Sequence, residues 1–545
     1  MNKRILKILF ILVSLLPGAK THAAAGGIPG FLPIHNDKFW DTADGQPLYS
    51  QGGGIFRFAD PQSGRGRYYW YGVRYKGAVE YRNDPTVTVE HAVFDAVTCY
   101  SSDNLVDWHY EGDVFTRDEA DSHGRAGWLG RLGVAYIKEK RQYALFVQHG
   151  NRDGAGVLIA TSDSPTGRFR WNWRKDMTAT IGTPNTGDQT VFTDEDTGRS
   201  YLVYSYGRGR NKIYVSEIGV RDGRIDLLDC TQVFKGASRE GNCMFKYKGR
   251  YYMCASNIYG WDGSYAYYLV ADDIRGPYLP ANDMKVMKGC ESDYAHVSQT
   301  GFFYALRGTE QETVIYCGDR WADFAGNGLG YNQWVPLSFD GDEPRFNSLS
   351  SWCLNAVTGE WRVGSDNNYV LNGSFEADRR SIPNPVKPRQ DFLLGWRTDV
   401  MAGSRVAVGD SRSPRLNHMN TRDDRRHVIG EKSLCISDSI VPFVRRVSQT
   451  VASTPTVPLP DGIYTLRARV RREGRFQRLE MYAVSGGRRK SCKIKPSMTS
   501  WTTIAIERVR VSGGKVEIGF FADGAAGAKC LVDDVGLVPY DVRPL

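Results

Sequence analysis

Between residues 40 and 360 the chain alternates short β-branched and aromatic runs with polar, glycine-containing turns. No segment there sustains the 3.6-residue apolar period of an amphipathic helix, so the pattern predicts an all-β domain. One type of run recurs at intervals of roughly 50–75 residues. Its copies are RYYWYGVRY (67–75), RQYALFVQHG (141–150), RSYLVYSYG (199–207), GRYYMCASN (249–257) and ETVIYCGDRW (312–321). This spacing suits one four-stranded blade per repeat and predicts a five-bladed β-propeller, with a β-sandwich as the alternative.

The pattern changes after SSWCLNAVTGEWRVG (350–364), and VLNGSFEADRR (370–380) opens a second unit. Its predicted strands include RVSQTVAS (446–453), GIYTLRARVRR (462–472), KVEIGFFADG (515–524) and KCLVDDVGLVPY (529–540). This order resembles the β-sandwich (jelly-roll) modules appended to exported glycan-active enzymes, and a generic β-sandwich is also compatible. We therefore expect a propeller domain over residues 26–364 and a carbohydrate-binding-like jelly-roll over residues 365–545.

The N-terminal segment has the features of an export signal. Lys3 and Arg4 precede an apolar run from Ile5 to Leu16, and small residues follow. This pattern predicts a signal peptide over residues 1–25. An uncleaved anchor is the alternative, but the run is shorter than the ~20 residues that a spanning helix needs. No cysteine follows the run as in a lipoprotein, so we expect a periplasmic or secreted protein without a membrane span.

Composition removes several function classes. The 545-residue chain has a formal charge of only +9 and no basic motif interleaved with aromatics, so no nucleic-acid partner is predicted. Its ten cysteines would permit disulfides in an exported protein. Cys99, Cys254 and Cys317, however, lie in apolar strand-like runs that equally suit buried thiols. No His/Cys cluster has zinc spacing, and neither a metal nor another cofactor is predicted.

Two acidic residues stand directly before predicted strands of successive blades. Asp188 lies in GDQTVFTDEDTGRSYLVY, and Glu240 lies in SREGNCMFKYKGRYYMCAS. A propeller gathers its inner strands around one axis, so these two carboxyls can converge on one pocket. Glycoside hydrolysis needs such a pair, because one carboxylic acid protonates the leaving oxygen while a second carboxylate assists it.

Several phrases together resemble glycoside hydrolase family 43. In chain order they are CYSSDNLVDWHYEG (99–112), IATSDSPTGRF (159–169), GDQTVFTDEDTGRSYLVYS (187–205), REGNCMFKYKGRYYMCAS (239–256), VADDIRGPY (270–278) and SQTGFF (298–303). The resemblance covers roughly residues 39–360 and is closer to the branch of exo-β-1,3-galactanases and related arabinogalactan-degrading enzymes. It implies an inverting, exo-acting hydrolase on a five-bladed propeller.

The resemblance also implies roles for individual residues. Glu240 matches the general acid of the family, and Asp188 matches the carboxylate that tunes the pKa of that acid. The aspartate expected as base in the first blade is absent, and the glycine-rich stretch after Gln51 stands in its place. In the galactanase branch a glutamine of the fifth blade is implicated near the attacking water, and Gln299 matches it. That branch usually carries a glutamate before the second-blade Arg131, where this chain has Gly130.

The run of three glycines after Gln51 has two interpretations. One is that Gly52 and Gly53 let the strand approach the terminal sugar, with Gln51 bonding its hydroxyls or positioning water. The other is a β-bulge or tight strand crossing that requires glycine. Asp41, Glu291 and Asp293 are reserve candidates for the missing base.

Aromatic side chains supply the remaining predicted contacts. Trp70, Trp128, Trp261 and Trp321 are predicted platforms for sugar faces, with packing between blades as the alternative for each. Arg131 is predicted to bind substrate, while His296 suits a core position near the axis better than a metal ligand.

The sequence thus predicts an exported exo-glycosidase that removes terminal galactose or L-arabinofuranose from an arabinogalactan-type polysaccharide. The expected partner is a plant-type polysaccharide or oligosaccharide, and the enzyme is expected to be a monomer. A catalytically silent glycan-binding propeller is the alternative, because the carboxylate base is missing.

Overall fold

The computed structural model describes residues 30–540, apart from 85, 86, 88, 90, 125, 126, 151–154, 262, 282, 290–297, 323–326, 378–393, 405–414 and 419–431. The predicted signal peptide therefore lies outside the described residues. Regular structure within them is almost entirely antiparallel β, with three short helices: α1 (Ala78–Asn83), α2 (Arg117–Asp121) and α3 (Thr178–Ile181). None of the described helices is long and apolar enough to cross a membrane.

After strand β1 (Leu32–His35), the described part of the chain forms five successive antiparallel sheets. The first contains β2 (Gln51–Ala59), β3 (Gly66–Tyr75), β4 (Phe94–Ser102) and β5 (His109–Thr116). The second contains β6 (Trp128–Ile137), β7 (Gln142–Gly150), β8 (Gly156–Ser162) and β9 (Arg170–Lys175). The third contains β10 (Thr186–Asp194), β11 (Arg199–Tyr206), β12 (Lys212–Arg221), β13 (Arg224–Leu227) and β14 (Thr231–Lys235). The fourth contains β15 (Glu240–Tyr247), β16 (Arg250–Ser256), β17 (Ala266–Ala271) and β18 (Lys285–Val286). The fifth contains β19 (Gln299–Arg307), β20 (Glu312–Ala322), β21 (Asn327–Asp340) and β22 (Glu343–Phe346).

The first strands of these sheets contact one another in cyclic order. β2 contacts β6, β6 contacts β10, β10 contacts β15, β15 contacts β19, and β19 returns to β2. The sheets therefore form a closed arrangement, called the sheet ring below. The five recurring runs of the sequence form the second strands β3, β7, β11, β16 and β20. These strands are buried on both faces between neighbouring sheets, which explains their nearly continuous apolar and aromatic character.

A three-stranded sheet follows the ring. β23 (Ser351–Leu354) pairs with β1 on one side and with β24 (Trp361–Val363) on the other. The start of the described chain is thereby tied to the segment that leaves the fifth sheet. The predicted domain boundary at residues 364 and 365 falls just after β24.

The C-terminal region contains two antiparallel five-stranded sheets among the described residues. One has the order β25 (Arg397–Ala402), β28 (Phe443–Ala452), β33 (Lys515–Gly524), β30 (Phe476–Ser485) and β31 (Arg488–Lys493). The other has the order β26 (Arg415–His418), β27 (Lys432–Ser437), β34 (Lys529–Pro539), β29 (Gly462–Glu473) and β32 (Thr502–Val511). Both sheets contribute to one core that includes Leu466, Ile518 and Val532. We call this region the sandwich.

All five first strands of the sheet ring begin irregularly. Pairing with the second strand shifts register between residues 51 and 54, 129 and 132, 186 and 189, 240 and 243, and 300 and 302. Shifts of this kind are β-bulges, which re-aim side chains at the end of a strand. They matter here because the predicted catalytic residues stand at these positions.

The nine described cysteines are free thiols, and Cys99, Cys254 and Cys317 are buried. The structure therefore agrees with the buried-thiol interpretation of these three strand residues.

Candidate active site

The irregular strand starts bring together one polar side chain from each sheet of the ring. They are Gln51 of β2, Arg131 of β6, Asp188 of β10, Glu240 of β15 and Gln299 of β19, and each is more than nine-tenths buried. Arg131 reaches both Asp188 and Gln299, and Gln299 reaches Glu240. The ring thus assembles a cluster whose members are far apart in the sequence.

Asp188 and Glu240 are joined by an arginine that sequence analysis missed. Arg210 Nη1 donates to Asp188 Oδ1 at 3.1 Å and to Glu240 Oε2 at 2.5 Å. The shared nitrogen holds the two carboxyls closer than the ~6.5–9.5 Å that separates acid and base in inverting glycosidases. Asp188 is therefore placed close enough to influence the pKa of Glu240.

The two carboxyls have opposite pKa shifts. Burial and the negative charge of Asp188 raise the pKa of Glu240 to about 7, against the opposing charges of Arg210 and Arg131. Burial would also raise the pKa of Asp188, but Arg210, Arg131 and the Gly241 N–H hold it below its ordinary value. Near neutral pH Asp188 is ionised while Glu240 can carry a proton, which is the division of roles that a general acid needs.

Arg131 connects the rest of the cluster. Its guanidinium donates to Asp188 Oδ2 at 3.1 Å, Asp319 Oδ2 at 2.9 Å and Gln299 Oε1 at 2.7 Å. A longer bond of 3.4 Å reaches the Gly301 carbonyl. Protein acceptors thus engage all three of its nitrogens, which indicates a positioning role, while the predicted substrate contact stays a prediction.

The amide of Gln299 has a fixed orientation. Its Oε1 accepts from Arg131 Nη2 and, at 2.8 Å, from Trp321 Nε1, and its Nε2 donates to Glu240 Oε1 at 2.7 Å. Guanidinium and indole nitrogens can only donate, so the opposite amide orientation would lose both of those bonds. Gln299 therefore lies beside the predicted acid, in contact with it.

Asp319 is a second residue that sequence analysis missed. It is 1% exposed, lies on β20, and accepts from Gly52 N at 3.1 Å as well as from Arg131. Burial raises its pKa against the charge of Arg131 and the Gly52 N–H. The signal was present in the fifth recurring run, ETVIYCGDRW, where an acid closely follows the apolar residues VIYC. Asp319 anchors the glycine-rich strand to Arg131.

The structure supports the β-bulge interpretation of the glycines. Gly52 has φ +63°, in the left-handed region that favours glycine. A Cβ on Gly53 would lie 1.7 Å from the Tyr71 carbonyl oxygen of β3, a distance that no side chain tolerates. Strand pairing itself therefore requires Gly53, and the hypothesis that this glycine is needed for sugar approach is not supported.

Gln51 has spare hydrogen-bonding capacity. Its side chain is 7% exposed, and Nε2 has no hydrogen-bond partner among the described residues. A buried, unsatisfied amide donor costs free energy unless a water or ligand satisfies it. Gln51 therefore has a free donor next to the Gly52–Asp319 contact.

The predicted tryptophans separate into two groups. Trp261 packs against Trp128 at 5.8 Å and Trp321 at 5.0 Å, measured between ring centroids. Trp321 bonds Gln299, and Tyr75 stacks on Trp128, so these rings form an aromatic wall beside the cluster.

Trp70 does not belong to this wall. It is completely buried and packs against Trp334 at 4.8 Å and Trp108 at 5.3 Å, in the core between the first and fifth sheets. The prediction that Trp70 is a sugar platform is wrong, because no face of its ring is accessible.

Gly130 makes room for one side of the aromatic wall. A Cβ at this position would lie 2.7 Å from Trp128 Nε1 and 2.9 Å from Gln148 Oε1. The indole of Trp128 therefore occupies the space that a longer side chain before Arg131 would need.

Of the reserve candidates only Asp41 is among the described residues, and it is not part of the cluster. Asp41 lies on the surface and pairs with Arg82, while Glu291, Asp293 and His296 lie outside the described residues. Within the described ranges, no group of three or more His, Cys, Asp or Glu side chains could hold a metal ion.

Comparison with known proteins places this cluster in a family context. An exo-beta-1,3-galactanase from Phanerochaete chrysosporium, solved with beta-1,3-galactotriose, is 18% identical with a TM-score of 0.52. The match covers 93% of this chain and 99% of that chain. An exo-beta-1,3-galactanase from Clostridium thermocellum is 20% identical with a TM-score of 0.51, over 79% of this chain and 85% of that one. At such identities the likeness shows a shared fold.

No curated protein matches the chain. The family model for glycosyl hydrolases family 43, in contrast, matches residues 79–322, a segment that contains Arg131, Asp188, Glu240, Gln299 and Asp319. This match confirms, over residues 79–322, the resemblance to glycosyl hydrolases family 43 that was noted in the sequence.

Proposed function

We propose that the protein is an exported, exo-acting, inverting hydrolase that removes terminal galactose from the β-1,3-galactan backbone of arabinogalactan-type polysaccharides. The observation that carries the proposal is the Asp188–Arg210–Glu240 arrangement, in which one carboxyl is held ionised and its neighbour has a pKa of about 7. In the same proposal the five sheets of the ring are the blades of a five-bladed propeller, and the sandwich is a jelly-roll.

Glu240 acts as the general acid. Its proton passes to the glycosidic oxygen as the bond from that oxygen to the sugar carbon breaks. Water attacks this carbon from the opposite face, and the proton that the water loses ultimately restores Glu240. With Glu240 protonated, the carboxylates of Asp188 and Asp319 face the guanidiniums of Arg131 and Arg210. The cluster is then balanced in charge, which favours the protonated acid.

Two amides take the place of a carboxylate base in this proposal. Gln299 Oε1 already accepts from Arg131 and Trp321, so its free capacity for water is small while both bonds persist. Gln51 keeps a free donor. We propose that Gln299 lies beside the attacking water, as the family resemblance implies, and that Gln51 orients this water or a hydroxyl of the terminal sugar.

The sugar face packs on the aromatic wall. Indole rings offer a flat apolar face with a donor at the edge, which suits the C–H face of a pyranose. Trp128 and Trp261 are the more exposed members of the wall, whereas Trp321 is 5% exposed and held by its bond to Gln299. We therefore assign the stacking contact to Trp128 and Trp261.

The test is sugar release from a branched arabinogalactan and from its debranched β-1,3-galactan backbone, with wild type beside Glu240→Gln. We expect galactose from the backbone, initially as the inverted anomer by NMR, and a loss of release in the variant. Retained configuration would contradict the inverting mechanism. Binding without variant-sensitive release from either polymer would favour the silent glycan-binding propeller, for which the missing carboxylate base is the supporting observation.

A second candidate activity is removal of L-arabinofuranose from side chains. Gly130 favours it, because Trp128 fills the space of the glutamate expected before Arg131 and changes the contacts offered to the sugar. Arabinose released from the branched polymer alone would establish this activity in place of the galactanase.

Export is part of the proposal, since the first 25 residues have the pattern of a cleaved signal. N-terminal sequencing of the protein recovered from the periplasm or medium checks it. A start near residue 26 is expected, whereas an intact Met1 in a membrane fraction would favour the anchor.

A further inference from the structure

A cleft of about 1130 Å³ lies between the sheet ring and the sandwich. The ring contributes the ends of β15 and β21 and the turn before β20, and the sandwich contributes the loop before β29 and the start of that strand. Strand β24 and the segment after it complete the lining. Ligand sites occur preferentially between domains. The volume of this cleft slightly exceeds the ~300–1,000 Å³ typical of small-molecule pockets.

The cleft is separate from the active site. Glu240 begins β15, whereas Tyr247 ends the same strand and lines the cleft. Seven residues of extended strand separate them by about 23 Å, at ~3.3 Å per residue. Glu312 likewise begins β20, while Asp319 of the active-site cluster lies near its other end. The two sites therefore lie at opposite ends of shared strands.

The lining combines aromatic surfaces with hydrogen-bonding groups. Its aromatic members are Tyr247, Phe339, Trp361, Tyr369 and Tyr464. Tyr247 and Phe339 stack at 3.9 Å, and Trp361 and Tyr369 are partly exposed. Side-chain oxygens come from Ser338, Ser365 and Thr456. Flat apolar faces next to hydroxyls and carboxylates match the alternation of C–H faces and hydroxyl groups on a sugar chain.

Charge argues for a neutral ligand. The carboxylates of Glu310, Glu312 and Asp461 line the cleft together with Lys248 and Arg362. Glu312 is already engaged, since it accepts the Lys248 backbone N–H and pairs with Arg307. The remaining carboxylates, Glu310 and Asp461, balance Lys248 and Arg362, so the lining favours neither a polyanion nor a polycation.

Direct hydrogen bonds, one of them from the cleft-lining Thr456, join the ring side to the sandwich. Thr456 Oγ1 of the sandwich donates to Asn347 Oδ1 of the ring side at 2.8 Å. Asn368 receives a bond from Leu537 N at 3.0 Å, and its own backbone N–H donates to Ser350 Oγ at 2.7 Å. The cleft is therefore formed before a ligand arrives, and binding need not order its walls.

We propose that this cleft is a second, non-catalytic binding site for a neutral oligosaccharide segment. The inference rests on the proposed function in that its ligand is a segment of the polysaccharide whose end enters the active site. Binding at two places would raise affinity for the polymer above that for a short oligosaccharide, because the second contact becomes intramolecular.

The test compares polymer binding and small-substrate turnover. Ser365→Arg places a long side chain in the cleft at an exposed position, and Trp361→Ala removes an aromatic face. Tyr136→Ala, which removes a 40% exposed ring on the second sheet, is the matched control. Each change is made in the Glu240→Gln background for binding to debranched β-1,3-galactan, and in wild type for kcat/KM on β-1,3-galactotriose.

We expect both cleft variants to weaken polymer binding at least fivefold, with kcat/KM on the trisaccharide within twofold of wild type. The control should bind like its parent. Unchanged polymer affinity in Ser365→Arg, with an unchanged melting temperature, would overturn the second site. Absence of trisaccharide hydrolysis by wild type, with polymer binding still lost in the cleft variants, would instead overturn the proposed function alone.

Discussion

The sandwich and the active site each bury arginine beside carboxylate, with opposite consequences for carboxyl pKa. In the sandwich, Asp438 pairs with Arg445 and also accepts the backbone N–H groups of Ser404, Ile440 and Val441. Burial would raise the pKa of Asp438, but these contacts hold it below its ordinary value. One cation and ample donors thus keep this carboxylate ionised.

The active-site cluster contains one more carboxyl than it has arginines. Asp188, Glu240 and Asp319 share Arg131 and Arg210, and Glu240 is the carboxyl whose pKa rises to about 7. The comparison teaches that burial alone does not create a general acid. An acid with a raised pKa results when charge compensation is incomplete, and that imbalance makes the cluster suitable for proton transfer.

The largest expected effect is on turnover in Glu240→Gln. If Glu240 is the general acid, as proposed, its removal lowers kcat by about 10²–10⁴-fold. We expect little loss of stability, since the glutamine oxygen can still accept from Gln299 Nε2, while the bond from Arg210 Nη1 is lost together with the buried charge. Initial rates with the galactan backbone measure turnover, and a thermal unfolding curve measures stability. A large fall in melting temperature would show that Glu240, like Asp438, is a structural carboxylate.

The same variant should change the pH dependence of stability. In the folded protein the pKa of Glu240 is about 7, above its ordinary 4.5, so the unfolded chain releases this proton first. Glu240 therefore lowers the free energy of unfolding progressively as pH rises from about 4.5 to 7. Above pH 7 this destabilising effect stays constant. The stability advantage of Glu240→Gln should grow over that window, and denaturant unfolding at pH 4, 6 and 8 measures it.

Asp438→Ala should have the reverse effects of Glu240→Gln: a loss of stability with unchanged turnover. Removing one partner of a buried ion pair costs about 3–5 kcal/mol of unfolding free energy, because Arg445 is left uncompensated. We expect kcat of the folded fraction to stay unchanged, since the residue lies in the sandwich. Asp399→Ala, which breaks a partly exposed pair with Arg446, is the matched control and should cost under about 1 kcal/mol. Equal losses of unfolding free energy in the two variants would show that the buried pair contributes no more to stability than the partly exposed one.

Gly53→Ala tests what the glycine-rich strand is for. The added methyl overlaps the Tyr71 carbonyl, so we expect a loss of about 1–3 kcal/mol in unfolding free energy, accompanied by the loss of activity. Gly462→Ala, whose Cβ meets only the Tyr464 ring at 3.7 Å, serves as control. Lost turnover at an unchanged melting temperature would revive the sugar-approach interpretation.

Arg210→Ala should produce the smallest change, a shift of the pH–rate profile. The positive charge of Arg210 lowers the pKa values of both Glu240 and Asp188, so its removal raises both. In the proposed mechanism activity needs Glu240 protonated and Asp188 ionised, so both limbs should move to higher pH, by about one unit. Measured kcat/KM against pH checks this, and an unmoved basic limb would mean that Arg210 does not contact the acid in solution. Arg208→Ala, in the same loop, is the control.

Sequence analysis identified the catalytic candidates better than their surroundings. Asp188 and Glu240 were recognisable because each stands before an apolar strand, in successive repeats. Gln299 was recognisable because its segment resembles the galactanase branch of the family. Arg210 was missed because it lies in the polar loop GRGRNK, where a charged residue is unremarkable. Asp319 was missed because the search favoured first strands, whereas it lies on the second strand of its sheet.

By itself the sequence determined which segments are strands and which polar residues begin them, because β-strand patterning is local and repeats along the chain. Only the tertiary structure decided which indoles line the site, since Trp70 and Trp321 lie in similar aromatic strands but pack on different faces. It also decided the pKa of Glu240, which depends on groups as distant in sequence as Arg131 and Asp188. The physical reason is that closure of the ring, and no local propensity, brings these charges within bonding distance.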